Sequence, residues 1–473
     1  MNLMNRSCRV LIASLALCLP FVGTMPAKDA APATVITATP DRAEAIYGKG
    51  DKITWTVDVA TGDRTRLTAV NYIIERDGMG EYGKGTLDLS KGPQEVSTTF
   101  DQPCVLTLVT VPDGNNNAEL GKNKLSIGGA LVAPKEIGPS LPAPADFDEF
   151  WQAKLKDLAA VPANPVVQPV EAARLEGLKG AETLDFYKVT LDNINGTKVQ
   201  GQLARPKKGE KFPALLILQY AGVYPLDKGK VVGQAASGWL VFNIQAHDIP
   251  IDEPKEYYTE KGNGDLKGYI FKGNESRDTS YFLRMYLGCV RAAEYLTSRP
   301  DWNGQVLVVT GDSQGGMQSF ATAALYPKVT GLMTLVPAGS DFRAPMATPP
   351  RAFSYPYWLA PWAPKDHDIE KVKVAAGYFD GMNFAARVKV PCLIAVGLID
   401  ETSRPTGVTA TYNAVKATKE LVVMPGSDHH GRLKSQAIYW NRYNAWKKAF
   451  ETGGKPPAPE SGFTGPGPKA ETK

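Results

Sequence analysis

The chain has 473 residues, 53 Lys and Arg against 49 Asp and Glu, and a formal charge of +4. That length predicts two or three domains with ample material for a core. The charge excludes a nucleic-acid partner on electrostatic grounds, because removing Arg6 and Arg9 with a leader leaves only about +2 (4 less 2).

The first 27 residues set Arg6 and Arg9 before an apolar stretch, Val10 to Gly23, and then Met25, Pro26 and Ala27. This pattern predicts a secretory signal peptide over residues 1–27 and a secreted or periplasmic protein. Pro20 interrupts a span already short for an anchor, so stable membrane insertion is not expected once the leader is removed. Leu17 before Cys18 is too large for a lipoprotein signal. The mature chain keeps Cys104, Cys289 and Cys392, too scattered for a disulfide framework and expected as buried thiols.

Residues 28–134 predict an all-β, sandwich-like domain. Short runs such as Lys52 to Val59, Leu67 to Glu75 and Val105 to Val111 alternate or are β-branched, with Gly, Asp and Asn in the turns between. The region has no histidine and one cysteine, which argues against a metal site or a nucleophile-base pair there. Two roles stay open for it: carbohydrate binding through its tyrosines and Trp55, or packing and positioning.

A proline-rich linker, Pro139 to Pro165, leads into an amphipathic helix for which Asp146 is the N-cap candidate and Glu149 its capping-box partner. From there apolar strand candidates alternate with helical segments. The strands are Ala214 to Leu218, Leu240 to Asn243, Val306 to Thr310, Leu332 to Val336, Cys392 to Val396 and Leu421 to Met424; helices are expected from Tyr281 to Arg299, after Ser313, and from about Leu433 to Phe450. This alternation predicts an α/β fold with a mainly parallel sheet over residues 135–452. The proline- and glycine-rich residues 453–473 are expected to be a disordered tail.

Chemistry enters at VLVVTGDSQGG, residues 306–316. An apolar strand followed by Gly311, Ser313 and Gly315 suits a nucleophile elbow, in which Ser313 is lifted to the sheet edge and the glycines permit close strand-helix approach. The backbone N–H of Gln314, free at the helix start, can face a developing oxyanion. A serine needs a base, and the chain offers His247, His367, His429 and His430. The α/β-hydrolase order of serine, acid, histidine excludes His247, and His367 lies in a polar stretch without a preceding strand. The pair at 429 and 430 follows the strand ELVVM by a short turn. For the acid, CLIAVGLIDET places Asp400 three residues beyond Gly397; of its rivals, Asp312 adjoins the serine with its side chain expected to point away at the elbow, Asp428 adjoins the histidine too closely to orient it, and either suits a turn former.

Several separated stretches carry a family likeness: DFDEFW from Asp146, RMYLGCVRAAEYLTSRPDWNGQ from Arg284, GDSQGG, YFDGMNFAARVKVPCLIAVGLIDETSRP from Tyr378, and TYNAV from Thr411. Residues from about 146 to 450 resemble the acetyl xylan esterases and cephalosporin C deacetylases of carbohydrate esterase family 7. The resemblance implies an α/β-hydrolase with a triad of Ser313, Asp400 and His429, hydrolysis of acetyl esters on sugars, and neither metal nor organic cofactor. It also places the second oxyanion donor at the backbone of Ala221, with Gly222 as the close alternative. Three positions depart from the family pattern: Gln245, Ala246 and His247 stand where it has Arg-Gly-Gln, His430 where it has Glu, and Ser403-Arg404-Pro405 where it has Cys-Pro-Pro.

The expected function is therefore a secreted serine esterase that takes acetyl groups from acetylated xylan or xylo-oligosaccharides through a covalent acyl-enzyme. The partner is an acetylated carbohydrate, and an oligomer is left open. Two other classes compete: an exported peptidase of the prolyl-oligopeptidase type, for which no upstream propeller repeat is visible, and a carbohydrate-binding protein without turnover.

Overall fold

The computed structural model describes residues 34–111 and 124–459. The leader expected over residues 1–27 lies outside the described residues, as does the expected tail beyond residue 459. Residues 454–459 form neither helix nor strand, and the Ala458 carbonyl accepts from Arg442.

Eight strands come first among the described residues: β1 (Val35–Pro40), β2 (Ile46–Tyr47), β3 (Lys52–Thr61), β4 (Val70–Arg76), β5 (Met79–Leu87), β6 (Gln94–Thr99), β7 (Cys104–Thr110) and β8 (Leu125–Val132). They form a three-stranded sheet, β1-β3-β6, and a five-stranded sheet, β2-β8-β7-β4-β5. In β3 the alternation of the sequence becomes an alternation of burial, with Ile53, Trp55 and Val57 fully inside. Trp55 is thereby withdrawn from any sugar-binding surface, its indole N–H donating to the Gly129 carbonyl.

After α1 (Phe147–Ala159), a nine-stranded sheet is assembled from β9 (Val166–Pro169), β10 (Leu184–Asp192), β11 (Lys198–Pro206), β12 (Phe212–Leu218), β13 (Leu240–Ile244), β14 (Trp302–Asp312), β15 (Gly331–Leu335), β16 (Cys392–Gly397) and β17 (Lys419–Met424). Its order is β17-β16-β15-β14-β12-β13-β11-β10-β9. The six strands from β17 to β13 are parallel, and β11, β10 and β9 continue the sheet through antiparallel pairs. The helices between and after them are α2 (Lys228–Ala235), α3 (Lys255–Asn263), α4 (Tyr281–Ser298), α5 (Gln314–Leu325), α6 (Ile369–Phe379), α7 (Gly381–Ala385), α8 (Pro405–Ala414) and α9 (Ala437–Glu451). No helix among the described residues is long and apolar enough to cross a membrane.

The apolar run in β14 shows why this sheet needs cover on both faces. Leu307 and Val309 enter one core, with Phe282 of α4 and Phe320 of α5; Val306 and Val308 enter a second, with Val231 of α2 and Trp446 of α9. The first core also contains Ile53, Trp55 and Leu106 of the N-terminal sheets, so apolar packing runs from those sheets into the α/β region without a break. The described residues accordingly form one compact unit. Cys104, Cys289 and Cys392 are free and buried. Asp146 does sit at the N-cap position of α1, but its carboxylate makes no capping bond; it is drawn to Arg277 and the Tyr378 hydroxyl instead, a charged pair outcompeting a neutral backbone donor.

Candidate active site

β14 ends at Asp312, and Ser313, the next residue, turns the chain into α5 with its backbone at φ +54° and ψ −121°, outside the regions open to most residues. The conformation is held by hydrogen bonds from Ser313 N to Leu335 O (3.0 Å) and from Ala338 N to Ser313 O (2.9 Å). Side chains are excluded on both flanks. A Cβ on Gly311 would stand 2.5 Å from the Gly315 backbone, and one on Gly315 would stand 2.4 Å from the Leu218 carbonyl oxygen.

Three residues separate in sequence meet here. His429 Nε2 lies 2.8 Å from Ser313 Oγ, and His429 Nδ1 lies 2.7 Å from Asp400 Oδ2. A carboxylate only accepts, so Nδ1 carries the proton and Nε2 presents its lone pair to the serine hydroxyl. Asp400 is 1% exposed, and its other oxygen accepts from Thr402 N and Ser403 N, both at 2.8 Å. Burial works against the charged form of His429. The Asp400 carboxylate, by charge and hydrogen bond, with Asp428 and Asp312 adding, outweighs it and holds the imidazole above the ordinary histidine pKa of 6.5. Such an arrangement can take a proton from Ser313, keep it during attack on a carbonyl, and return it to a leaving group.

The other candidates are placed elsewhere. His430 is exposed, with its backbone N–H on Asp428 Oδ1 (3.1 Å) and its ring nearly perpendicular to that of His429. His367 is half-buried against Asn274. Asp312 sits beside the serine with its pKa raised by burial, a shift that Lys230 and His429 oppose. Among the described residues, no three of His, Cys, Asp and Glu are grouped as a metal site requires.

The loop after β12 lies against the start of α5. The Gln318 amide donates to Gln219 O (2.8 Å), and the Tyr269 hydroxyl joins the two segments, accepting from Gly222 N (3.3 Å) and donating to Gln314 Oε1 (2.6 Å). The Tyr355 hydroxyl donates to the same Gln314 oxygen. Behind this loop, His247 is fully buried, with Nε2 3.0 Å from the Gly222 carbonyl and Nδ1 2.7 Å from the Tyr281 hydroxyl, which also accepts from Arg284 (2.6 Å). Burial depresses its pKa to about 3, with the Gly222 carbonyl opposing and Arg284 adding to the depression, so the ring is neutral. Sequence reasoning missed Tyr269, Tyr355 and the place of His247. Their partners lie up to 86 residues away, and the one available signal was that a buried Gln314 side chain must find hydrogen-bond partners somewhere.

Residues 132–447 match the acetyl xylan esterase family. The acetyl esterase Axe7A of Xylanibacter ruminicola is 28% identical over 394 residues, covering 82% of this chain and 85% of that protein. Among solved structures, an acetyl xylan esterase from Paenibacillus sp. R4 superposes with a TM-score of 0.56 at 25% identity, over 66% of this chain and 97% of that one. Acetyl xylan esterase 1 from Thermoanaerobacterium sp. gives 0.53 at 23% identity, over 65% and 97%, and shares the fold.

Proposed function

The chain belongs to the acetyl xylan esterase family, and on that premise we propose that it removes acetyl groups from acetylated xylan or xylo-oligosaccharides. It is a carboxylic ester hydrolase; the xylan substrate and the covalent route are our reading. The observation that carries it is the unbroken hydrogen-bonded chain from Ser313 through His429 to Asp400.

In the proposed route, Ser313 Oγ attacks the acetyl carbonyl carbon while His429 Nε2 takes the hydroxyl proton. The sugar oxygen leaves with that proton, and the acetyl group stays on Ser313. Water then attacks, His429 takes its proton, acetate departs, and the proton returns to Ser313 Oγ. Through both steps Asp400 keeps the proton on Nδ1 and balances the imidazolium. We assign the oxyanion to the backbone N–H groups of Gln314 and Ala221. Gln314 opens α5, where backbone donors have no intrahelical acceptor, and Tyr269 already engages the N–H of Gly222, which favours Ala221 as the donor from the other loop. The leader pattern of residues 1–27 supports export to the periplasm or the medium, where such polymers are met.

The test is hydrolysis of acetate and longer acyl esters of one alcohol, acetylated xylan fragments, and peptides by the purified protein. Acetate release from the xylan fragments, with rate falling steeply as the acyl chain lengthens, is expected. Peptide cleavage without acetate release from any sugar would replace this reading with a peptidase.

A further inference from the structure

The strands β1 to β7 lie outside the span that matches the family, and β8 ends where it begins, yet this region reaches the loops that carry Asp400 and His429. Ser126, on β8, is the point of contact with both. Its Oγ donates to Glu401 Oε1 at 2.7 Å, and its carbonyl accepts from the Arg432 guanidinium at 2.7 Å. Glu401 is the residue after Asp400, and Arg432 lies three residues beyond His429.

Two further contacts grip the acid loop on either side. Gly129 of β8 lies so close to Leu398, two residues before Asp400, that an added Cβ would stand 2.4 Å from Leu398 Cβ and 2.7 Å from its carbonyl oxygen. Asp77, in the β4–β5 turn, accepts from the Thr406 hydroxyl at 2.7 Å in the first turn of α8, just after Ser403 whose N–H caps Asp400. Asp77 is itself fixed by the N–H of Val105 at 2.9 Å and is 6% exposed. The residues around these contacts, with Asp400 among them, enclose a small cavity between the two regions.

Asp400 and His429 extend from different strands, β16 and β17, and their 2.7 Å bond is only as constant as the separation of the two loops. Loop residues without a common support drift independently, and a displacement of about 1 Å in a catalytic constellation costs about 100-fold in rate. We propose that the N-terminal β region is a positioning element of the active site, and that Ser126 holds the acid loop and the base loop at their working separation. The inference rests on the triad reading given above. It gives the β region a task in the chemistry itself, distinct from recruiting polysaccharide.

The test compares full-length Ser126→Ala, Arg432→Met, Arg432→Lys and Gly129→Val with the parent and with Ser313→Ala. The measurements are kcat, KM on a small activated acetate ester, the pH profile of kcat/KM, and thermal unfolding. Arg432→Met is expected to lower kcat about 10-fold with KM within about 2-fold, Arg432→Lys to restore part of the loss, and Ser126→Ala, which keeps the carbonyl, to lose less. Gly129→Val, if folded, should lose most. The acidic limb should move to lower pH in Arg432→Met, because a loosened Asp400 raises the His429 pKa less; Asp312, Asp428 and His430, which also face His429, are unchanged in these variants. A role in stability alone would lower the unfolding temperature and leave kcat and the acidic limb in place, which would overturn the proposal. Wild-type kcat in Arg432→Met beside an inactive Ser313→Ala overturns the clamp alone, whereas turnover retained in Ser313→Ala overturns the triad and the clamp with it.

Discussion

Two histidines at the carboxyl edge of the sheet do opposite work. Both have each ring nitrogen hydrogen-bonded. His429, on the loop after β17, sits between a carboxylate and a hydroxyl, and its pKa is held above 6.5. His247, after β13, sits between a phenol and a backbone carbonyl, and its pKa falls to about 3. Burial disfavours the imidazolium at both places; only His429 has a carboxylate behind it to reverse the sign. In the proposed route one side of the site moves protons, while the other is a fixed hydrogen-bonded array, running from Arg284 through Tyr281 and His247 to the Gly222 carbonyl.

The largest effects should fall on the proton-moving side. Ser313→Ala is expected to lose about 10⁶-fold in kcat with the fold intact by circular dichroism. Asp400→Asn should lose about 10⁴-fold, because an amide that donates to Nδ1 stabilises the tautomer with its proton on Nε2, facing the serine. The same variant should draw the acidic limb of kcat/KM down toward the ordinary histidine value. An unchanged limb would mean that His429 is not the titrating base.

On the fixed side the expected loss is smaller and of another kind. His247→Leu leaves the Gly222 carbonyl and the Tyr281 hydroxyl without their partner, at about 1–3 kcal/mol of stability per buried group. It also frees the loop of Ala221, for which a 10–100-fold fall in kcat is expected. The acidic limb should not move, since this ring is neutral across the working range. His247→Gln can donate to Gly222 and should recover most of the rate; a His247→Leu enzyme with a shifted limb would erase the distinction between the two sides.

Stability should separate the histidines as well. With a folded pKa near 3 against 6.5 unfolded, His247 makes the unfolded chain bind more protons between those values. Stability is then lost as pH falls below 6.5, by up to about 1.4 kcal/mol per pH unit. His429 has the reverse sign: its raised pKa contributes stability fully present below 6.5 and lost as pH rises through the folded value. Urea unfolding from pH 6.5 down to pH 4.5 should therefore show a shallower acid decline in His247→Gln than in the parent. An identical decline would show that another group carries it.

The same contrast marks what could be read before the structure. β14 and its turn were legible because the signal is local: four apolar residues, then glycines at the two positions where a Cβ would collide. β9 was illegible, since all four of its residues are exposed, whereas the β10–β11 hairpin did carry a signal in Asn195-Gly196 that went unread, set in a loop from Asn193 to Thr197 that is longer than the favoured two residues. Asp146 misled because its capping geometry is local while its actual partners, Arg277 and Tyr378, are distant. The α/β-hydrolase order brought forward Ser313, Asp400 and the pair at 429 and 430, each just beyond an apolar strand, and the family resemblance singled out His429 of that pair. The fixed side has no such order: His247, Tyr269, Tyr281 and Tyr355 are ordinary residues until packing joins them to Gly222 and Gln314.

The smallest expected effect is at His430, and it sharpens the contrast by locating the boundary of the proton-moving side. Adjacent residues on a loop turn their side chains apart. Here His429 turns inward to Ser313 and Asp400, while His430 is exposed and meets the base only as a perpendicular ring, with centroids 5.4 Å apart and planes at 84°. An edge-to-face pair contributes about 0.5–1.5 kcal/mol, and exposure puts this one at the lower end. His430→Ala should therefore change kcat by no more than about 3-fold. The loop would remain fixed, because Asp428 Oδ1 binds the backbone N–H groups of residues 430 and 432 whatever side chain stands at 430. His429→Ala should by contrast fall to about the level of Ser313→Ala, the two acting as one unit. Measuring both variants on one acetate ester decides the matter: if His430→Ala were the dead enzyme and His429→Ala the active one, the base would move by one position, and the raised pKa at His429 would lose its catalytic meaning.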